Sequence, residues 1–425
     1  MFFCKIFARI TPVQKTRLKI RWGTRFPSNS YLESSPPTLP VYTSSQLEIT
    51  MAAVDVLPGH TDEAHPEYFD IRAMPPQPKE QKPGQLSETL VKQFFEEGYV
   101  IFEKFFEKEE LDRCCDAISG LVEELAQKLY KAGKIKDLYR EYGFYKRLTK
   151  LEEEFPGTNI LLHKLGTLPQ AFRDLWSSER LLNVVEQLIG PDIAGHPVWN
   201  IRTKTPQNEA TTVPWHQDVG YLDNSSYKVL QPTAWIPLLD SSEINGCMQL
   251  AVRGHKTGRV ADHTCCYGGT WYVMLDEEEM VRKLDVDMKK DIKTCPIPYG
   301  GVLLFNNLVP HRSLPNMSND VRWSLDLRWQ RPDEPFGFYG LKDGVLMRSS
   351  KDPNMKIDWD CFDAVNRHEK QTESTWGEHP ETEGEDPEFD TTIPGPWMKK
   401  WKIVHVNRHV EKMEDDEEQK HWQKA

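Results

Sequence analysis

The sequence predicts an α+β chain with a mainly β core, a barrel or jelly roll with its helices packed outside. Three observations predict it. Helical periodicity dominates up to about residue 190, short apolar runs separated by turn residues follow it, and no helical pattern is read between those runs. At the start of the fold Ser87 caps a helix with Leu90, Val91, Phe94 and Phe95 at helical spacing, Gly98 stops it, and Tyr99-Val100-Ile101-Phe102 continues as a strand. Leu111, Cys115, Ile118, Val122, Leu125 and Leu129 mark a second helix. Leu181, Leu182, Val185, Leu188 and Ile189 mark a third, ended by Gly190-Pro191. Strands are read at 198–201, 233–239, 248–252, 270–275, 302–305 and 321–329.

Composition sets the bounds. With 425 residues, 38% hydrophobic and including 18 Phe, 14 Tyr and 13 Trp, the chain can bury a core, while a mean hydropathy of −0.61 leaves room for disordered tails. Residues 1–50 read as a basic leader or disordered tail, 51–84 as a linker, 85–345 as the folded domain, and 346–425 as an acidic, loosely structured extension with a docking strand at 401–406. The first 32 residues hold Lys5, Arg9, Lys15, Arg17, Lys19, Arg21 and Arg25 and no acid. That is the composition of a mitochondrial presequence, although Met51 offers a second start. The expected location is intracellular, cytoplasmic or mitochondrial; the terminal Gln-Lys-Ala is not a peroxisomal tripeptide. No apolar run is long enough to span a membrane, and the net charge of −12 disfavours nucleic acid as a partner, which leaves a small molecule. The eight cysteines show no C-x-x-C spacing, and the adjacent pairs suit no regular disulfide framework, so a reducing compartment is expected.

Chemistry concentrates in the strand-rich half. In His216-Gln217-Asp218 an extended backbone would send imidazole and carboxylate to one side, where they can meet one metal ion. The motif alone is weak, since His60-Thr61-Asp62 repeats it inside the linker. It gains weight from His311, delivered by the apolar run GVLLF into a turn marked by Pro310 and Pro315. Two histidines and a carboxylate form a facial triad for iron(II), leaving three positions for a bidentate organic acid and dioxygen. Eleven residues on, Arg322 and Ser324 share one face of the alternating run VRWSLDLRW, where a guanidinium fork and a hydroxyl can hold a carboxylate such as the distal end of 2-oxoglutarate. Arg328 shares that alternation and competes for the role. Singly, a histidine is usually structural and an arginine usually solvated; their joint order is what points to a site. His263, Cys265, Cys266 and Cys295 lack regular zinc spacing.

On these residues the sequence resembles the phytanoyl-CoA dioxygenase family of iron(II) and 2-oxoglutarate oxygenases, over about residues 87–335. HQD, the stretch TAWIPLLDSSEINGCMQLAVRGHKTG and the segment from His311 to Arg322 carry the likeness. The resemblance implies a double-stranded β-helix with His216, Asp218 and His311 as iron ligands. Arg322 would grip the 5-carboxylate of 2-oxoglutarate, with Ser313 assisting. Trp235, Lys164 and Asn200 would be its further neighbours. Dioxygen would be consumed, with ascorbate as reductant. His255 is expected to be structural, and Arg312 and Gly301 depart from the family pattern. Asp218 occupies the position that a halogenase would free for halide, so hydroxylation is expected, with release of succinate and CO2 and with an acyl-CoA or fatty-acid-like substrate. The rival readings are a catalytically silent member that binds or senses, and a zinc or manganese hydrolase in which Arg322 has no purpose. Oligomeric state and substrate identity have no signature in the sequence.

Overall fold

Short strands with one apolar face need a second apolar surface against them, and two antiparallel sheets supply it here. The computed structural model describes residues 71–164, 168–377 and 387–413. The basic leader, His60-Thr61-Asp62 and the acidic runs at 378–386 and 414–419 lie outside the described residues.

The helical half comprises α1 (Glu88–Glu97), then β1 (Tyr99–Phe102), α2 (Lys108–Lys131), α3 (Gly143–Glu154), α4 (Thr158–His163), α5 (Gln170–Trp176) and α6 (Glu179–Ile189). There follow β2 (Ile193–Gly195), β3 (Asn200–Lys204), β4 (Thr233–Pro237), β5 (Met248–Ala251), β6 (Thr264–Cys265), β7 (Val273–Met274), α7 (Glu277–Leu284) and β8 (Ile292–Cys295). After them come β9 (Val302–Phe305), β10 (His311–Ser313), β11 (Arg322–Gln330) and β12 (Val345–Arg348), and the chain continues through α8 (Trp359–Asp363), α9 (Arg367–Trp376), α10 (Trp397–Lys400) and β13 (Lys402–Ile403). The larger sheet runs β1-β9-β4-β11-β2-β12, with β3 also paired to β11; the smaller runs β10-β5-β8. Tyr99, Trp235, Leu303 and Phe305 of the first pack with Met248, Leu250 and Cys295 of the second. This is the jelly roll that the sequence predicts.

All nine residues of β11 are buried, because both of its faces are covered. Trp323, Leu325, Leu327 and Trp329 join the helices in the main core, with the Trp323 ring stacked on Phe144 at 5.3 Å. Arg322, Ser324, Asp326 and Arg328 alternate with them and face the other way. The strand is apolar on its helix side and charged on its barrel side.

At the chain entry Ser87 accepts the Leu90 N–H and caps α1, as its position predicts. Gly98 ends the helix at φ 87°, where a Cβ would run into Val309 Cγ2 and lie 2.7 Å from His255 Nδ1. Gly301 is equally constrained: a Cβ there would lie 2.7 Å from the Phe102 carbonyl oxygen, so an acid has no room.

Four expectations change. α7 interrupts the strand-rich half; it buries only Met280 and Leu284 behind three consecutive glutamates, too sparse an apolar face to read as periodicity. Residues 71–84, read as linker, lie partly against α6, where Lys82 pairs with Glu186 and Gln77 donates to the Gln187 carbonyl. The C-terminal region, expected to be loosely structured, is anchored by its aromatic and apolar residues: Phe389, Ile393, Trp397, Met398 and Trp401 are buried in the main core. Its aromatic residues, diluted among acids in the sequence, are the part that docks. β13 falls within the docking strand read at 401–406 and pairs in parallel with β6. Next to it Cys265 and Cys266 are joined to each other, a bond the spacing argument did not anticipate.

Replacing Trp401, which donates its indole N–H to the Gly220 carbonyl at 2.6 Å, with Ala should cost about 3–5 kcal/mol in urea unfolding; no loss would mean that the C-terminal region is not part of the fold.

Candidate functional site

Two loops converge to build the site. His216 and His311 form an isolated antiparallel bridge, each donating its backbone N–H to the other's carbonyl at 3.0 and 2.9 Å. Their rings consequently lie side by side, with centroids 4.1 Å apart. His216 Nδ1 faces the Pro214 carbonyl and His311 Nδ1 faces the Val309 carbonyl, both at 2.9 Å. With Nδ1 engaged as donor, each Nε2 keeps its lone pair, the form a metal takes. The two Nε2 atoms lie 3.8 and 3.7 Å from Asp218 Oδ1. Among the described residues His216, Asp218 and His311 are the group whose ligand atoms all fall within 4.8 Å of one another.

Asp218 does not continue an extended strand, as the sequence reading assumed; it opens a 3-10 turn, Asp218–Tyr221. What holds the motif is Gln217. Its side-chain amide donates to the carbonyls of Leu308 and Arg259, its carbonyl accepts the Ala261 N–H, and its backbone N–H donates to His263 Nε2. Pointing opposite to its neighbours and fully bonded, it aims both of them inward. His263 is thereby engaged in structure rather than in a zinc site.

The carboxylate of Asp218 is braced from behind. Arg328 forks onto it, Nε to Oδ2 and a terminal nitrogen to Oδ1, both at 3.0 Å, and Thr233 donates to Oδ2 at 2.9 Å. Burial opposes ionisation, but the Arg328 guanidinium outweighs it and holds the carboxyl well below its usual range. Arg328, read as a competitor for a cosubstrate, has its carboxylate already.

Arg322 does not. It lies beside the Trp235 ring, 5.2 Å from its centroid, and donates to Ser324 at 2.6 Å, while its Nε is buried without a partner. The β11–β3 register sets Lys204 directly opposite it. Lys204 is also buried, and its ammonium reaches Thr212 Oγ1 at 3.3 Å. Burial, then the neighbouring Arg322 and Arg202, push the Lys204 ammonium well below its usual range; burial, offset in part by Asp326, pulls Arg322 down to about 10. Among the described residues neither has a carboxylate within ion-pair distance. Two like charges facing each other across a sheet are unfavourable unless an anion joins them. Sequence reasoning missed Lys204; the signal was the alternation Asn200, Arg202, Lys204, polar side chains on one face of a buried strand.

Arg322, Lys204, Trp235, Ser313, His216 and His311 line one cavity with about 620 Å³ of empty space. Ser313 accepts the Val213 N–H there at 3.1 Å. Two expected neighbours stand elsewhere. Lys164 pairs with Asp390 at 2.9 Å and lines neither this cavity nor the adjoining one. Asn200 accepts from Arg367 and lines the adjoining cavity. His255 is structural, facing the Phe95 carbonyl at 3.0 Å, and Arg312 braces Trp215, 4.6 Å from its ring centroid.

Against known proteins, the family model described as phytanoyl-CoA dioxygenase (PhyH) matches residues 94–324, more than half of the chain. The chain belongs to the phytanoyl-CoA dioxygenase family. Family relatives include the 1-deoxypentalenic acid 11-beta-hydroxylases of Streptomyces arenae, 29% identical over 178 residues, and of Streptomyces exfoliatus, 28% identical over 182. Each match takes in 40% of this chain and 60% of the relative's length. Solved structures with a similar course include the non-heme monooxygenase ThoJ (TM-score 0.42, 18% identity, 61% of this chain and 84% of that one). Another is EctD from S. alaskensis with 2-oxoglutarate and 5-hydroxyectoine (TM-score 0.41, 16% identity, 62% and 86%).

If Arg328 is what allows Asp218 to stay ionised in the interior, Arg328→Met should destabilise chelator-treated protein by about 3–5 kcal/mol in urea unfolding. An unchanged midpoint would show that solvent, not Arg328, compensates the carboxylate.

Proposed function

We propose that the chain is an iron(II)- and 2-oxoglutarate-dependent dioxygenase that hydroxylates a small organic substrate, with release of succinate and CO2. One observation carries the reading: an unpaired, buried Arg322–Lys204 cation pair shares a cavity with the imidazoles of a His-Asp-His cluster. A dicarboxylate that chelates a metal at one end and ends in a carboxylate at the other answers both needs, and the site fits such a pair of groups. His216, Asp218 and His311 would hold the metal, and Asp218 would lower its net charge. Bound iron with 2-oxoglutarate and dioxygen supplies oxidative decarboxylation coupled to insertion of oxygen into a C–H bond, with ascorbate as a reductant that keeps iron(II) available.

The chain's own residues do the positioning. Arg322 and Lys204 bind the far carboxylate of 2-oxoglutarate, Ser324 fixes the guanidinium through its hydroxyl, Trp235 walls the cavity beneath it, and Ser313 lines the same cavity. The apolar rings of Phe305 and Trp235 exclude water. The family name suggests an acyl-CoA or fatty-acid-like substrate, and the names of the Streptomyces relatives describe hydroxylation of a small organic acid.

Anaerobic addition of iron(II) and 2-oxoglutarate should produce a visible metal-to-ligand charge-transfer band; its absence would defeat the oxygenase reading and favour a silent binding protein. Arg322→Ala should weaken 2-oxoglutarate roughly 10- to 100-fold in that titration while leaving iron(II) affinity unchanged. Equal loss of both would contradict the role given to Arg322.

A further inference from the structure

The cavity adjoining the first one holds about 500 Å³ of empty space and is lined at one side by Asp218 and Arg328, so it borders the proposed metal ligands directly. Tyr221, Trp271, Tyr272 and Trp397 give it aromatic walls. Helix α9 places Arg367 and Gln371 on it.

Arg367 is 5% exposed and 5.2 Å from the Trp199 ring centroid. Every acceptor it meets is neutral: Asn200 Oδ1 at 3.1 Å, His368 Nε2 at 3.3 Å and the Pro197 carbonyl at 3.4 Å. Among the described residues no carboxylate stands within ion-pair distance of it. The other buried arginines near it are matched, Arg328 by Asp218 and Arg202 by Asp326. A desolvated guanidinium without a counter-ion is costly, and burial, reinforced by Arg328 and Arg202, pulls this one down to about 9. On the same helix Gln371 Oε1 is buried without a donor. Arg367, without a counter-ion, and Gln371 Oε1, without a donor, therefore both border a space that a ligand can fill.

Resting on the oxygenase reading, we infer that the primary substrate is a free carboxylic acid whose carboxylate is gripped by Arg367 in this second cavity. The cosubstrate does not need Arg367, because Arg322 and Lys204 already provide for it in the first cavity. Nor does Arg367 fall within residues 94–324, the stretch matched to the family. Arg322 and Lys204 lie inside that stretch, and Arg367 lies beyond it. A coenzyme A thioester has no free carboxylate to offer, so the acid is the form bound.

The test uses the full chain loaded with iron(II) and 2-oxoglutarate under nitrogen. Hexanoate, decanoate and phenylacetate are each titrated beside the matching primary amide and coenzyme A thioester, with inorganic phosphate as a further arm, and tryptophan fluorescence reports binding. At least one acid should bind and its amide and thioester should not. Arg367→Ala should weaken that acid roughly 10- to 100-fold, and Arg367→Lys, which keeps the charge and loses the fork, should fall between. The charge-transfer band should form in both variants. The inference is overturned if amide, thioester or phosphate binds as tightly as the acid, if no acid binds, or if the acid is indifferent to Arg367→Ala. It is overturned as well if Arg367→Ala loses the band, since Arg367 would then hold 2-oxoglutarate. Failure of the wild type to give the band removes the oxygenase reading itself, whereas a normal band without acid binding removes only this inference.

Discussion

Strand β11 carries three permanent charges into the barrel, and each must be compensated there because water is not available to do it. Arg328 meets Asp218, Asp326 meets Arg202, and Arg322 meets Lys204, a charge of its own sign. The first pairing fixes a carboxylate beside two imidazoles. The second keeps a neighbouring strand in register. The third is unfavourable while both groups are protonated and is relieved by an anion. One strand thus braces the carboxylate of the His-Asp-His cluster, pairs the sheet and carries the unpaired Arg322, because its alternation leaves no other direction for these side chains.

The core of the fold was legible because its strands are short, apolar and punctuated, and because Ser87 and Gly98 obey ordinary capping chemistry. That His216, Asp218 and His311 cluster, and that Arg322 shares a cavity with the two histidines, was legible because these residue types in that order are rare by chance. Less could be read where the signal depends on a partner. Lys204 has meaning only opposite Arg322, and that register is a tertiary fact. Arg328 and Arg322 share one alternation, so sequence could not decide which of them meets the protein's own carboxylate. Lys164 was expected beside the cosubstrate, yet its ammonium is drawn to Asp390, which belongs to a region whose composition suggested it would not pack.

That region changes how the domain is bounded. Its acidic character dominated the sequence reading, whereas a few aromatics spaced through it decide its fate: Trp397 donates to the Trp271 carbonyl and Trp401 to that of Gly220, two residues from Asp218. Both rings are buried, and Trp397 lines the cavity that borders Asp218. α9 then contributes polar groups to the interior that the barrel strands do not supply.

Gly98 joins the first helix to the His-Asp-His cluster through Val309. Its missing side chain lets Val309 approach, and the carbonyl of Val309 is what sets the tautomer of His311. Any bulkier residue there would tilt an imidazole it never touches. A change in the geometry of the His-Asp-His cluster can therefore trace to a helix terminus that no survey of ligating atoms would flag.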